Sequence, residues 1–84
     1  MSNIKIYTTP ICPYCVRAKA LLKMKGAAFD EIDVFMDADA RSEMEDKAGR
    51  RTVPQIFIGD THVGGCDDLY ALESEGKLDP LLAS

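Results

Sequence analysis

The sequence predicts an α/β fold: a mixed four-stranded β-sheet with helices on both faces, in the order β-α-β-α-β-β-α. Three observations lead there. A strand-like run, a helical run and a second strand-like run follow one another between Ile4 and Val34, a βαβ unit whose strands must lie parallel. Two short apolar runs then meet across Gly59-Asp60, a tight-turn signal that makes the next pair antiparallel. The length of 84 residues, 46% hydrophobic and 29% charged, suits one domain with one modest core, spanning residues 1–84.

Ile4 to Thr8 alternates, with Ile4 and Ile6 on one face and Lys5 and Tyr7 on the other. Thr9-Pro10-Ile11 carries the chain to Cys12, and a helix runs from about Pro13 to Lys25. Pro13 suits the first helical turn, where its missing N–H would be unpaired anyway. Cys15, Ala18, Leu21 and Leu22 share or border one face, and Gly26 stops the helix. Ala27 to Val34 reads as the second strand, with imperfect alternation. Asp37 to Lys47 is a polar helix stopped at Gly49. Gln55 to Ile58 and Thr61 to Val63 form the hairpin, and Gly64-Gly65 makes a corner where backbone can approach a ligand. Asp67 or Asp68 caps a helix that carries Leu69 and Leu72 and ends at Gly76. Asp79-Pro80 starts a final helical turn packing Leu78, Leu81 and Leu82.

Composition narrows the function classes. A net charge of −4 argues against nucleic acid as a partner, and no apolar run approaches the ~20 residues that span a bilayer. Residues 16–25 carry +4 through Arg17, Lys19, Lys23 and Lys25. These cations complement a helix C-terminus, or else set a positive field near Cys12. Three cysteines are too few, and odd in number, for a disulfide-stapled secreted domain. With no leader read, the expected compartment is the reducing cytoplasm, and the expected state a monomer.

The chemistry concentrates in Cys12-Pro13-Tyr14-Cys15. Two thiols two residues apart at a helix start can reach each other and close a small disulfide. Cys12 would sit at the positive end of the helix, where unpaired N–H groups favour a thiolate. A zinc site is the other use of such a pair. It would need Cys66 and His62 as further ligands, and no second Cys-x-x-Cys exists, so no metal is assigned. Cys66 is read as a small buried apolar residue and His62 as a surface residue. Met24, Met36 and Met44 are read as filler or surface, not ligands.

Cys12-Pro13-Tyr14-Cys15, Thr52-Val53-Pro54 and Gly64-Gly65-Cys66-Asp67-Asp68 stand in glutaredoxin order and spacing. Across essentially its whole length the chain resembles the small bacterial dithiol glutaredoxins. That resemblance implies a thioredoxin fold and a glutathione-dependent thiol–disulfide oxidoreductase, with glutathione as co-substrate and no tightly bound cofactor. It implies disulfide-bonded or glutathionylated proteins as partners and glutathione reductase as the indirect electron source. Cys12 resembles the nucleophile and Cys15 the resolving thiol. Tyr14 would line a glutathione groove, and Val53-Pro54 resembles the family's cis peptide, with Thr52 beside it. Gly65 and the amides of Cys66 and Asp67 would meet the γ-glutamyl carboxylate, and Asp67 or Asp68 its ammonium group. Arg51 and Arg41 are candidates for the glycyl carboxylate. Many relatives carry a lysine three residues before the nucleophile, where this chain has Thr9, so one local cation is missing. Two rivals follow from the same likeness. One is an iron–sulfur cluster-binding module ligated through Cys12 and glutathione, against which Pro13 speaks. The other is a related protein reduced by thioredoxin reductase, against which Gly64 to Asp68 speak.

Overall fold

The computed structural model describes residues 3–83. Along the chain run β1 (Ile4–Thr8), α1 (Pro13–Met24), β2 (Asp30–Asp33), α2 (Ala38–Ala48), β3 (Gln55–Ile58), β4 (Thr61–Gly64), α3 (Cys66–Ser74) and α4 (Leu78–Ala83). The sheet order is β2-β1-β3-β4. β1 pairs parallel with β2, as the crossover through α1 requires. It pairs antiparallel with β3, and β3 with β4. The resulting mixed sheet with helices is the one expected, and the final helical turn is realised as α4.

β1 feeds two cores because successive side chains point to opposite faces. Ile4 and Ile6 join Ala18, Leu21 and Leu22 of α1 and Leu69, Leu78 and Leu82 of α3 and α4 on one face. Tyr7 joins Val34, Ala40 and Met44 on the other, against α2. Lys25 ties the first layer together at its rim, with Nζ 2.8 Å from Glu73 and 2.9 Å from Asp79. Lys19 pairs with Glu31 of β2 at 2.9 Å, and Glu31 also accepts from the Thr8 hydroxyl at 2.7 Å. Two of the four cations in the basic stretch are therefore engaged by acidic neighbours.

Element ends differ from expectation where the backbone is claimed by a neighbour. β2 begins at Asp30, not Ala27, because the Ala27 N–H returns to the Leu22 carbonyl at 3.0 Å and closes α1. α2 is entered through Asp37, whose carboxylate accepts from the Ala40 N–H at 3.0 Å, and ends on Gly49 at φ +67°. α3 starts at Cys66 with Gly65 as its N-cap, so neither aspartate holds the cap position. Asp68 reaches back from the third helical position and accepts the Gly65 N–H at 2.8 Å. His62 is half-buried and not a bare surface residue: it stacks on Phe57 at 4.9 Å, and its Nε2 lies 2.8 Å from Gln55 Oε1.

Candidate active site

One edge of the sheet collects everything that carries chemistry. The ends of β1, β2 and β4 and the start of β3 all lie there, because β3 runs against β1 and β4 against β3. Cys12 is the N-cap of α1, in extended conformation at φ −149°. Its Sγ accepts a hydrogen bond from the Cys15 N–H at 3.2 Å. That places sulfur where the helix's unpaired amides and dipole stabilise negative charge. Pro13 at the first helical position leaves no unpaired N–H to compete.

Cys15 is one turn along and buried, 1% exposed, whereas Cys12 is half-exposed. All three cysteines are free thiols. Burial pushes the Cys15 thiol up to about 12, and its hydrogen bond with Cys12 adds to the rise. The two sulfurs are thus unequal: one is open to solvent at a helix N-terminus, the other is buried and held protonated by desolvation. This sets a pH dependence. The folded chain keeps the Cys15 proton after an unfolded chain has released it. The stability contributed is complete below the ordinary thiol value of ~8.5 and is lost as pH climbs towards about 12. The same sign governs reactivity: the Cys15 thiolate fraction grows about ten-fold per pH unit below that value. Single-turnover closure of the Cys12–Cys15 bridge is expected to accelerate steadily from pH 6 to 8. A flat profile would show that Cys15 deprotonation does not limit that step.

The Cys12 thiol points at the Val53 carbonyl, with Sγ and oxygen 3.8 Å apart. Val53–Pro54 is a cis peptide bond, as the family likeness implied. The loop that carries it is braced by Gln55, fully buried, whose Nε2 donates to the Thr52 carbonyl at 3.0 Å and to its hydroxyl at 3.1 Å. Beside this loop runs an open groove of about 420 Å³, lined by Tyr14, Arg50, Thr52, Val53, Pro54, Gly65, Cys66, Asp67 and Asp68. Gly64 makes the corner at φ +114°, a conformation L side chains rarely adopt, and an added Cβ there would meet the Asp68 carboxylate.

The two aspartates are not equivalent. The Asp68 carboxylate receives the Gly65 N–H and the Arg50 guanidinium, the latter at 3.1 Å, and both hold it below the usual carboxylate range. Asp67 is exposed on the groove wall. Cys66, at the start of α3, is 4% exposed, and burial raises its thiol. Arg41 and Arg51 lie outside the groove lining. Arg41 donates to the Arg51 carbonyl at 3.1 Å, and the Arg51 side chain, 86% exposed, lies 3.7 Å from Glu45. Arg50 is the cation the groove contains. Sequence alone does not single it out, because adjacent residues in a loop have no periodicity to say which one turns inward. The bracing role of Gln55 has no sequence signal, since one glutamine in a strand looks like any other polar strand residue.

Comparison with known proteins agrees with this geometry. The glutaredoxin family model matches residues 4–63. The chain is 58% identical to glutaredoxin 3 of Escherichia coli over 82 residues, covering 98% of this chain and 99% of that protein. The solution structure of glutaredoxin from Brucella melitensis superimposes with TM-score 0.86 at 65% identity, covering 98% of this chain and 89% of that one. A buckwheat glutaredoxin–glutathione complex superimposes with TM-score 0.88 at 33% identity, covering 98% of this chain and 77% of that one. An open thiol at a helix N-terminus, a buried partner thiol one turn on and a match along nearly the whole chain converge on a thiol–disulfide oxidoreductase: the chain belongs to the glutaredoxin family.

Proposed function

We propose that the protein uses glutathione to reduce protein–glutathione mixed disulfides and protein disulfides. The observation that carries this reading is the position of Cys12 Sγ between the α1 N-terminus and Val53, a wall residue of the groove. In the one-thiol cycle the Cys12 thiolate attacks the glutathione sulfur of a mixed disulfide. The protein sulfur leaves as a thiolate and takes a proton, and a second glutathione then attacks the Cys12–glutathione bond, giving oxidised glutathione. In the two-thiol cycle Cys12 attacks a protein disulfide and Cys15 displaces the remaining protein sulfur, closing the Cys12–Cys15 bridge. Two glutathione molecules reopen it.

The groove supplies recognition. An extended peptide can pair with the Val53 backbone, and the amides at the α3 N-terminus suit a carboxylate. Asp68 is already committed to Gly65 and Arg50, so Asp67 is the residue we assign to the ammonium group of glutathione. Arg50, which lines the groove, is the cation we assign to a ligand carboxylate in place of Arg51 or Arg41. Cytoplasmic operation as a monomer is part of the same reading. Among the described residues, no helix is long and apolar enough to cross a membrane.

The test is glutathione-dependent reduction of a small mixed disulfide, with thioredoxin reductase as the control donor. Turnover with thioredoxin reductase alone would overturn the proposal. In the same assay Asp67→Asn is expected to weaken apparent glutathione affinity about ten-fold, the worth of a charge-assisted hydrogen bond in a partly desolvated site. Its melting temperature should hold. Asp68→Asn keeps an acceptor for the Gly65 N–H and should change affinity far less. The reverse ranking would transfer the role to Asp68, and no change in either variant would remove both from the site.

A further inference from the structure

The flank of Cys12 away from the groove is apolar and exposed. The groove lies on the β3–β4 side of Cys12. On the β2 side, the loop after β1 and the loop after β2 come together as a pocket of about 150 Å³ lined by Thr9, Pro10, Ile11 and Phe35. Ile11 is 94% exposed, Phe35 64% and Met36, its neighbour, 87%. These side chains are held out by the backbone around them. Val34 is buried, and its N–H donates to the Thr8 carbonyl at 2.9 Å. The Phe35 N–H donates to the Asp33 carboxylate at 2.8 Å, and Asp37 is occupied as the cap of α2. A loop fastened on both sides thus presents two large apolar side chains to water beside the nucleophile. Exposed apolar surface of this kind marks an interaction site.

We propose that this pocket receives an apolar side chain from the protein substrate, at a residue next to the cysteine that Cys12 attacks, and that Ile11 and Phe35 set that preference. The occupant follows from the chemistry. Cys12 forms a new S–S bond with one substrate sulfur while the substrate S–S bond breaks and the other sulfur leaves as a thiolate. Cys15 then attacks Cys12 Sγ, so the substrate gains two electrons and the cysteine pair is oxidised. During the first step the partner's backbone lies against the surface around Cys12, and Ile11 precedes Cys12 in the chain. A 150 Å³ pocket is the size of one phenyl ring or branched aliphatic side chain. The inference rests on the activity of the family and does not need the glutathione groove.

The test uses peptides with one intramolecular disulfide, identical except for Phe, Leu or Ser beside one cysteine. Pre-reduced protein reduces each in single turnover with no glutathione present. The Phe and Leu peptides are expected to react about ten-fold faster than the Ser peptide, the low end of discrimination by a hydrophobic pocket. Phe35→Ser and, separately, Ile11→Ser should each bring the Phe-to-Ser ratio close to one. The ratio is taken within each protein, so a general loss of activity does not imitate the effect. Equal rates for all peptides with the unaltered protein, or a ratio that survives in both variants, would overturn the inference. Failure of the glutathione assay with this ratio intact would overturn the proposed function alone.

Discussion

Cys12→Ser is expected to abolish reduction of protein disulfides and of glutathione mixed disulfides together, by on the order of 10³-fold or more. A serine hydroxyl in the same place still receives the Cys15 N–H and still caps α1. It is not ionised near neutral pH and does not attack sulfur. Neither of the other cysteines can substitute: Cys15 and Cys66 are buried, and burial raises both thiols. Retained secondary structure and melting temperature would confirm that chemistry is lost and not the fold. Residual activity above a few per cent would show that another sulfur attacks.

Cys15→Ser separates the two cycles. The hydrogen bond that supports the Cys12 sulfur comes from the Cys15 backbone N–H at 3.2 Å, which the substitution leaves in place. Reduction of a glutathione mixed disulfide is therefore expected to persist near the original rate, because glutathione itself supplies the second sulfur. Reduction of protein disulfides is expected to fall about ten-fold or more, since the mixed disulfide with the partner then waits for an external thiol. The position is 1% exposed, so burying a hydroxyl, which water solvates better than a thiol, adds a stability cost. Cys15→Ala, which buries no polar group, is the companion variant. Parallel loss of both activities in both variants would remove the division of roles between the two cysteines.

Several features were legible along the chain because their causes are local. Pro13 at the first turn of α1, Gly49 at the end of α2 and Gly59 at the hairpin turn act through their own backbone angles. Cys12 and Cys15 needed only a helix boundary to become an open thiol and a buried one. The βαβ crossover made β1 and β2 parallel before any contact was known. Other features depend on residues that meet from far apart. Asp67 and Asp68 look alike in sequence until Arg50, 18 positions upstream, pairs with one of them. Arg50 and Arg51 are told apart only by which turns into the groove. The Cys12 thiol finds the Val53 carbonyl across 41 positions, and Gln55 fixes the loop that holds it. Local chemistry assigns each residue its conformation and charge. Which charges face one another, and which apolar side chains are left in water beside Cys12, follows from how the sheet edge brings separate loops together.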